Sequence, residues 1–235
     1  MKSKTQNPNH TTLAGEALLD DYVLSHSDGE PEYLYRLWRA TNIHMLHGRM
    51  ASGHLQGRLL KMFVEMVRPR RVIEVGTFSG YSALCIAEGL KECDEASVQG
   101  EHPHLWTFEI NDEQEPFTRK WIEQSPWSDY VTFIIGDAIT EAPAMADGKT
   151  FDMCFLDGDK RTYLETYEAI LPLMSKGGYI LADNTLWDGH VILPEYDHDK
   201  QTQGIRQFND FVAQDARVSK VLLPLRDGLT IIRVL

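Results

Sequence analysis

The stretch RVIEVGTFSGYS, residues 71–82, runs from a short apolar segment straight into a glycine turn and the opening of a helix. An apolar run of this length reads as a buried strand. Gly76 and Gly80 let the backbone come close to a ligand, and the N-terminus of the helix that follows offers free N–H groups and a partial positive charge. The glycines are four apart, with Glu74 two residues before the first, so this is not the GxGxxG of dinucleotide binding. A carboxylate at that point repels a pyrophosphate and suits an ammonium group, so the turn points to a ligand with an amino-acid end.

Downstream of this turn the pattern repeats. LWTFEI (105–110), VTFII (131–135), FDMCFLD (151–157) and GYILAD (178–183) are further short apolar runs, separated by helical spacings such as Tyr163, Tyr167, Ile170, Leu171 and Met174. Strands alternating with helices imply right-handed crossovers and a parallel sheet covered on both faces. VLLPL (221–225), the turn Arg226-Asp227-Gly228 and LTIIRV (229–234) read as a closing antiparallel hairpin, which makes seven strands. Upstream, residues 13–67 read as helices, with Leu55, Leu59, Phe63 and Met66 as an apolar stripe that ends at Arg68-Pro69. The expected organisation is a flexible tail (1–12) and one α/β domain (13–235), with the helices of 13–67 as a lid.

The 235 residues carry a net charge of −12, which argues against a protein built to grip phosphate backbones. The polar start resembles neither a signal peptide nor an anchor, and no apolar run is long enough to span a bilayer. Cys85, Cys93 and Cys154 are odd in number and form no CxxC, so neither a disulfide framework nor a zinc ribbon is expected. The expectation is a cytoplasmic protein with a small-molecule substrate.

Chemistry-bearing residues stand where the strands end. Glu109 closes the second strand, where a carboxylate grips ribose hydroxyls in α/β folds. Gly136-Asp137-Ala138 follows the third strand, where an adenine fits. Asp157-Gly158-Asp159-Lys160 ends the fourth strand and Asp183-Asn184 the fifth. If those two strands are neighbours, Asp157, Asp183 and Asn184 converge as an all-oxygen set, which selects Mg²⁺, Ca²⁺ or Mn²⁺. His44, His47 and His54 have irregular spacing and read as structural or surface residues. The acids of residues 188–199 read as a solvated loop, or as a mobile substrate gate.

Taken in order, EVGTFSGYSALCIAEGL, FEIN, GDA, FLDGDKRTY, GGYILADNTLWDG and LLPLRDGLTIIR resemble the cation-dependent O-methyltransferases of the caffeoyl-CoA and catechol O-methyltransferase type. The resemblance spans roughly residues 50–235 and implies a class I methyltransferase (Rossmann-like) fold, S-adenosyl-L-methionine as cofactor and a homodimer. It also implies that Glu74, Gly76, Thr77 and Ser82 hold the methionine end, Glu109 the ribose, Ala138 the adenine, and that Asp159 touches the cofactor. Asp157, Asp183 and Asn184 become the metal ligands, and Lys160 the lysine beside the reacting hydroxyl, acting as base if neutral or as phenolate stabiliser if charged. Trp187 and Asp188 fall at substrate positions. The plant enzymes carry Asn where Asp188 stands, so their acyl-CoA preference does not transfer. The expected reaction is methylation of one hydroxyl of a small catechol-like diol. The alternatives are the same chemistry on a hydroxylated RNA base, or an NAD-dependent dehydrogenase, which the missing GxGxxG opposes.

Overall fold

The computed structural model describes residues 13–95 and 102–235, with side chains from residue 18 onward. The expected 1–12 tail therefore lies outside the described residues. Three helices come first: α1 (Leu13–Ser25), α2 (Glu32–His44) and α3 (Gly53–Val67). Then β1 (Arg71–Val75), α4 (Tyr81–Glu95), β2 (His104–Glu109), α5 (Glu115–Glu123), β3 (Val131–Ile135), α6 (Ala138–Ala146), β4 (Phe151–Leu156), α7 (Tyr163–Ile170) and β5 (Met174–Asp183) alternate. The chain ends with α8 (Lys200–Gln214), β6 (Val218–Leu223) and β7 (Leu229–Val234).

The seven strands form one sheet in the order β3-β2-β1-β4-β5-β7-β6. Pairing is parallel from β3 to β5, and β7 enters antiparallel between β5 and β6. Strand alternation divides the core between the two faces. Val72, Met153, Phe155 and Leu181 pack with α2, α3 and α4, whereas Ile73, Cys154, Leu156, Ile180 and Ala182 pack with α6, α7 and α8. α4 is buried continuously from Tyr81 to Leu90, because helix α3 lies over its outer side.

Three expectations need adjustment. The buried stripe of α3 is Gln56, Leu60 and Val64, one residue along from the expected one, and Met66 is exposed. The reason is close approach: a Cβ at Gly57 would stand 2.7 Å from Cys85 Sγ, and one at Gly89 would stand 2.9 Å from Val64 Cβ, so α3 turns these small faces together. Met174 belongs to β5, not to the preceding helix, because α7 ends at Ile170 and a short 3₁₀ turn with Pro172 intervenes. The first hairpin strand ends at Leu223, with Pro224 in the connection to β7.

Sheet order locates the functional edge. From β1 the chain runs outward to β2 and β3, then returns past β1 to β4 and β5, so a crevice opens where the order reverses, at the carboxyl ends of β1 and β4.

Candidate active site

A cavity of about 1020 Å³ occupies that crevice. Its floor is the turn after β1. Gly76 has φ +98°, and a Cβ there would sit 2.4 Å from the Asp157 carbonyl oxygen, so the ends of β1 and β4 can meet this closely only at glycine. Gly76 N and Thr77 N both donate to Phe108 O, at 2.9 and 3.1 Å, which stitches the turn to the end of β2. Phe78, at φ +47°, donates its N–H to Glu109 Oε2 at 2.8 Å, and Asn111 N donates to Glu109 Oε1 at 2.9 Å. Each oxygen of this carboxylate is thereby oriented by one backbone donor and keeps lone-pair capacity for a hydroxyl. Asp137 caps α6 by accepting from Ile139 N at 2.9 Å, setting Ala138 into the cavity wall.

Glu74, Thr77 and Ser82 stand behind this wall and do not line the cavity themselves. Glu74 is fully buried. Its Oε2 accepts from Thr107 Oγ1 at 2.5 Å, and Thr107 Oγ1 also meets Thr77 Oγ1 at 2.6 Å. Burial pushes the Glu74 carboxyl up to about 8, against the smaller downward pull of hydrogen bonds from Ser82 and Thr107. Its Oε1 is buried without a hydrogen-bond partner. The Glu74 carboxyl thus braces the glycine turn from behind, and the turn residues that face the cavity are Gly76 and Phe78.

Asp157 and Asp183 follow paired residues, since Leu156 of β4 is in register with Ala182 of β5. The condition set by the sequence, that these two strands be neighbours, is met. Burial raises the Asp157 carboxyl to about 6; Lys160 beside it pulls down and the Asp183 charge pushes up. Lys160, 5% exposed, donates from Nζ to Asp157 Oδ1 at 2.7 Å, and its ammonium lies 4.6 Å from the Tyr163 ring centroid. Asp183 Oδ2 accepts from Gln56 Nε2 at 2.6 Å. Asn184 lines the cavity with φ +57°. Among the described residues no three His, Cys, Asp or Glu side chains gather as a metal site, which leaves two carboxylates and one amide as the oxygen set. Two carboxylates at adjacent strand ends, with one amide, fit a hard divalent cation.

The backbone beyond β5 is strained. Asn184, Trp187 and Asp188 are all left-handed, at φ +57°, +48° and +51°. Such residues cost on the order of 1 kcal/mol or more each and persist only where surroundings hold them. Here Leu186 N and Trp187 N both donate to Asp227 O, at 2.6 and 3.1 Å, and Thr185 N donates to Gly228 O at 3.1 Å. The hairpin turn thus clamps the segment that carries Asn184, Trp187 and Asp188 into the cavity wall. Asp159 also lines the cavity, its carboxylate forked by Arg161, with Nε 2.9 Å from both oxygens.

Several contributors were not singled out in the sequence. Gln56 bridges Arg226 Nη1 to Asp183, linking α3, the hairpin turn and β5. Its signal was a polar side chain on the stripe shared with Leu60 and Val64. The Tyr163 hydroxyl lies 2.5 Å from Leu156 O and 2.7 Å from Asp183 O, its one proton shared between the ends of β4 and β5. Gly204 of α8 gives Lys160 its place: a Cβ there would lie 2.1 Å from the Lys160 carbonyl oxygen. His47 lines the cavity beside Arg49 and Met50, and His54 lies 3.7 Å from Glu30. Residues 187–196 form 3₁₀ turns held by Arg206, which donates to the carbonyls of His190, Val191 and Leu193.

A sheet of this order, with the glycine turn after β1, an acid ending β2 and the crevice between them, defines the class of S-adenosylmethionine-dependent methyltransferases. The chain belongs to the O-methyltransferase family, whose profile matches residues 24–235. It is 34% identical to tricin synthase 1 of Oryza sativa subsp. japonica, over 98% of this chain and 93% of that protein. It is 31% identical to the caffeoyl-CoA O-methyltransferase of Stellaria longipes, over 95% and 92%. Among solved structures, the S-adenosylhomocysteine-bound Podospora anserina methyltransferase PaMTH1 superposes with a TM-score of 0.84 at 26% identity, covering 100% of both chains. The protein is therefore an S-adenosylmethionine-dependent O-methyltransferase of the caffeoyl-CoA O-methyltransferase type.

Proposed function

We propose that this enzyme methylates one hydroxyl of a catechol-like aromatic diol and depends on a divalent cation, Mg²⁺ first among candidates. The observation that carries this reading is the convergence of Asp157, Asp183 and Asn184 at adjacent strand ends, with the buried Lys160 ammonium on Asp157. The caffeoyl group named for one relative is itself a vicinal aromatic diol, which supports an acceptor of that class.

Methyl transfer to oxygen needs a phenolate, whereas a free phenol has a pKa of about 10. A divalent cation held by the three oxygen ligands would lower that value and fix two vicinal oxygens. Asp157, Asp183 and Asn184 set the diol end of the cleft. Lys160 as the ammonium holds positive charge beside the reacting oxygen, or in its neutral form takes the proton of that oxygen. Gly76, Glu109 and Ala138 position the methyl donor along the carboxyl edge of β1, β2 and β3, with Glu74, Thr77 and Ser82 supporting the turn from behind and Asp159 at its rim. Trp187 walls the acceptor ring, and Asp188 borders it. Alignment of donor and acceptor in a closed cleft then carries much of the rate.

The same reading takes residues 13–235 as one domain with α1–α3 as its lid, and the active form as a cytoplasmic homodimer. Exposed Ile43, Leu46, Met62 and Met66 supply apolar surface for self-association. Among the described residues no helix is long and apolar enough to cross a membrane. A hydroxylated RNA base as acceptor gains nothing from a chain of charge −12, and the family match gives the dehydrogenase alternative no support.

The test is methylation of a catechol panel by wild type and by Asp157→Ala, Asp183→Ala and Asn184→Ala. Loss of at least about a hundredfold in kcat/KM, with S-adenosylhomocysteine binding retained, is expected. Variants as active as wild type would contradict the reading.

A further inference from the structure

A second cavity, of about 500 Å³, lies against the first, and Arg49 and Arg226 belong to the walls of both. Its apolar wall is Val23 and Leu24 of α1, Tyr35 and Trp38 of α2, and Leu55 of α3. Side-chain contacts hold the chamber's frame. Tyr81 donates to Glu30 Oε2 at 2.5 Å and His54 lies 3.7 Å from Glu30 Oε1, so the connection from α1 to α2 is fixed to α3 and α4. Arg226 uses Nη1 on Ser52 O and Gln56 Oε1, which leaves its other terminal nitrogen without a hydrogen-bond partner among the described residues. Arg49 is exposed and has no ion pair among the described residues.

We propose that the acceptor spans both cavities: its diol ring lies in the main cleft, an oxygen-bearing link passes between Arg49 and Arg226, and a second aromatic ring fills the chamber under α1 and α2. This inference rests on the O-methylation reading above and names the acceptor class within it. The main cavity is already at the upper end of the roughly 300–1,000 Å³ of single-ligand sites, and it has the cofactor and one ring to hold. The second chamber alone is of ligand size. Guanidinium groups at the junction call for acceptor oxygens such as a carbonyl or carboxylate. Tyr35 and Trp38 offer ring faces and edges beyond it. Of the chamber's two carboxylates, Glu30 is engaged with Tyr81 and His54, and Asp20 is exposed on α1.

The test compares phenethyl caffeate with methyl caffeate, which share the diol and the carbonyl and differ by the second ring. Wild type is expected to favour the phenethyl ester in kcat/KM by about tenfold, the scale of one well-seated aromatic anchor. Asn42→Trp, which puts a bulky ring into the chamber from an exposed position, is expected to abolish that preference, mostly through KM. Trp38→Ala, which removes a half-exposed wall, is expected to weaken it and serves if Asn42→Trp does not fold. A wild-type ratio near one, or a ratio unchanged in the folded variant, overturns the inference. If wild type methylates neither ester, the function reading falls, and calorimetry in the presence of S-adenosylhomocysteine decides the chamber separately. Tighter binding of the phenethyl ester, lost in Asn42→Trp, upholds it; equal affinity for the two esters overturns it.

Discussion

Burial raises the Glu74 carboxyl to about 8, far above the value near 4.5 that it has in an unfolded chain. Between those two values the folded protein holds a proton that the unfolded chain releases, so stability falls as pH rises through that window. The slope is on the order of 1 kcal/mol per pH unit. Glu74→Gln removes the titration. The variant is expected to melt a few degrees above wild type at pH 8 and to show no such gain at pH 4, measured by thermal denaturation of the cofactor-free protein. An equal difference at both pH values would show that this acid does not titrate in the window. Residue identities at the strand ends, Glu109, Asp157, Asp183 and Asn184, were legible because acids and amides that end apolar runs have few structural uses. Their directions were not. Glu74, Thr77 and Ser82 lie behind the cavity wall, a placement set by which face of β1 and α4 each side chain takes. Gln56 was hidden because its partner Asp183 is 127 residues away.

Helix α8 is the element on which Lys160 depends. Its Gly204 touches the Lys160 backbone, so Gly204→Ala must displace either the helix or the lysine. Activity is expected to fall at least tenfold while far-UV circular dichroism stays that of wild type; an unchanged kcat would mean that α8 shifts without cost. The same helix carries Arg206, the donor to three carbonyls of the 190–193 turn. Arg206→Ala leaves those acceptors to water. Faster amide hydrogen exchange and earlier proteolytic cleavage across residues 187–196, with β4 and β5 unaffected, are the expected outcomes. The elements themselves were readable from period and turn chemistry, the seven strands above all. The face of α3 was not, because Leu55, Leu59 and Phe63 make as good a stripe as Gln56, Leu60 and Val64. Only the approach of Gly57 and Gly89 at the contact with α4 decides between them.

On the scale of the whole molecule, the sheet order brings five strand ends to one edge, and the chain places its chemistry there. The negative charge is distributed to match: residues 152–199 hold ten of the acids against Lys160, Arg161 and Lys176. Asp157 and Asp183 stand at neighbouring strand ends within that segment, the Asp183 charge opposes ionisation of Asp157, and a bound cation would relieve this repulsion. The measurement that tests this most directly is the rate of methyl transfer from S-adenosylmethionine to catechol after exhaustive chelation, followed by titration with Mg²⁺. The account predicts loss of methyl transfer in chelator and saturable recovery with added Mg²⁺, recovery that Asp157→Ala does not show. A rate in chelator equal to that in Mg²⁺ would contradict it.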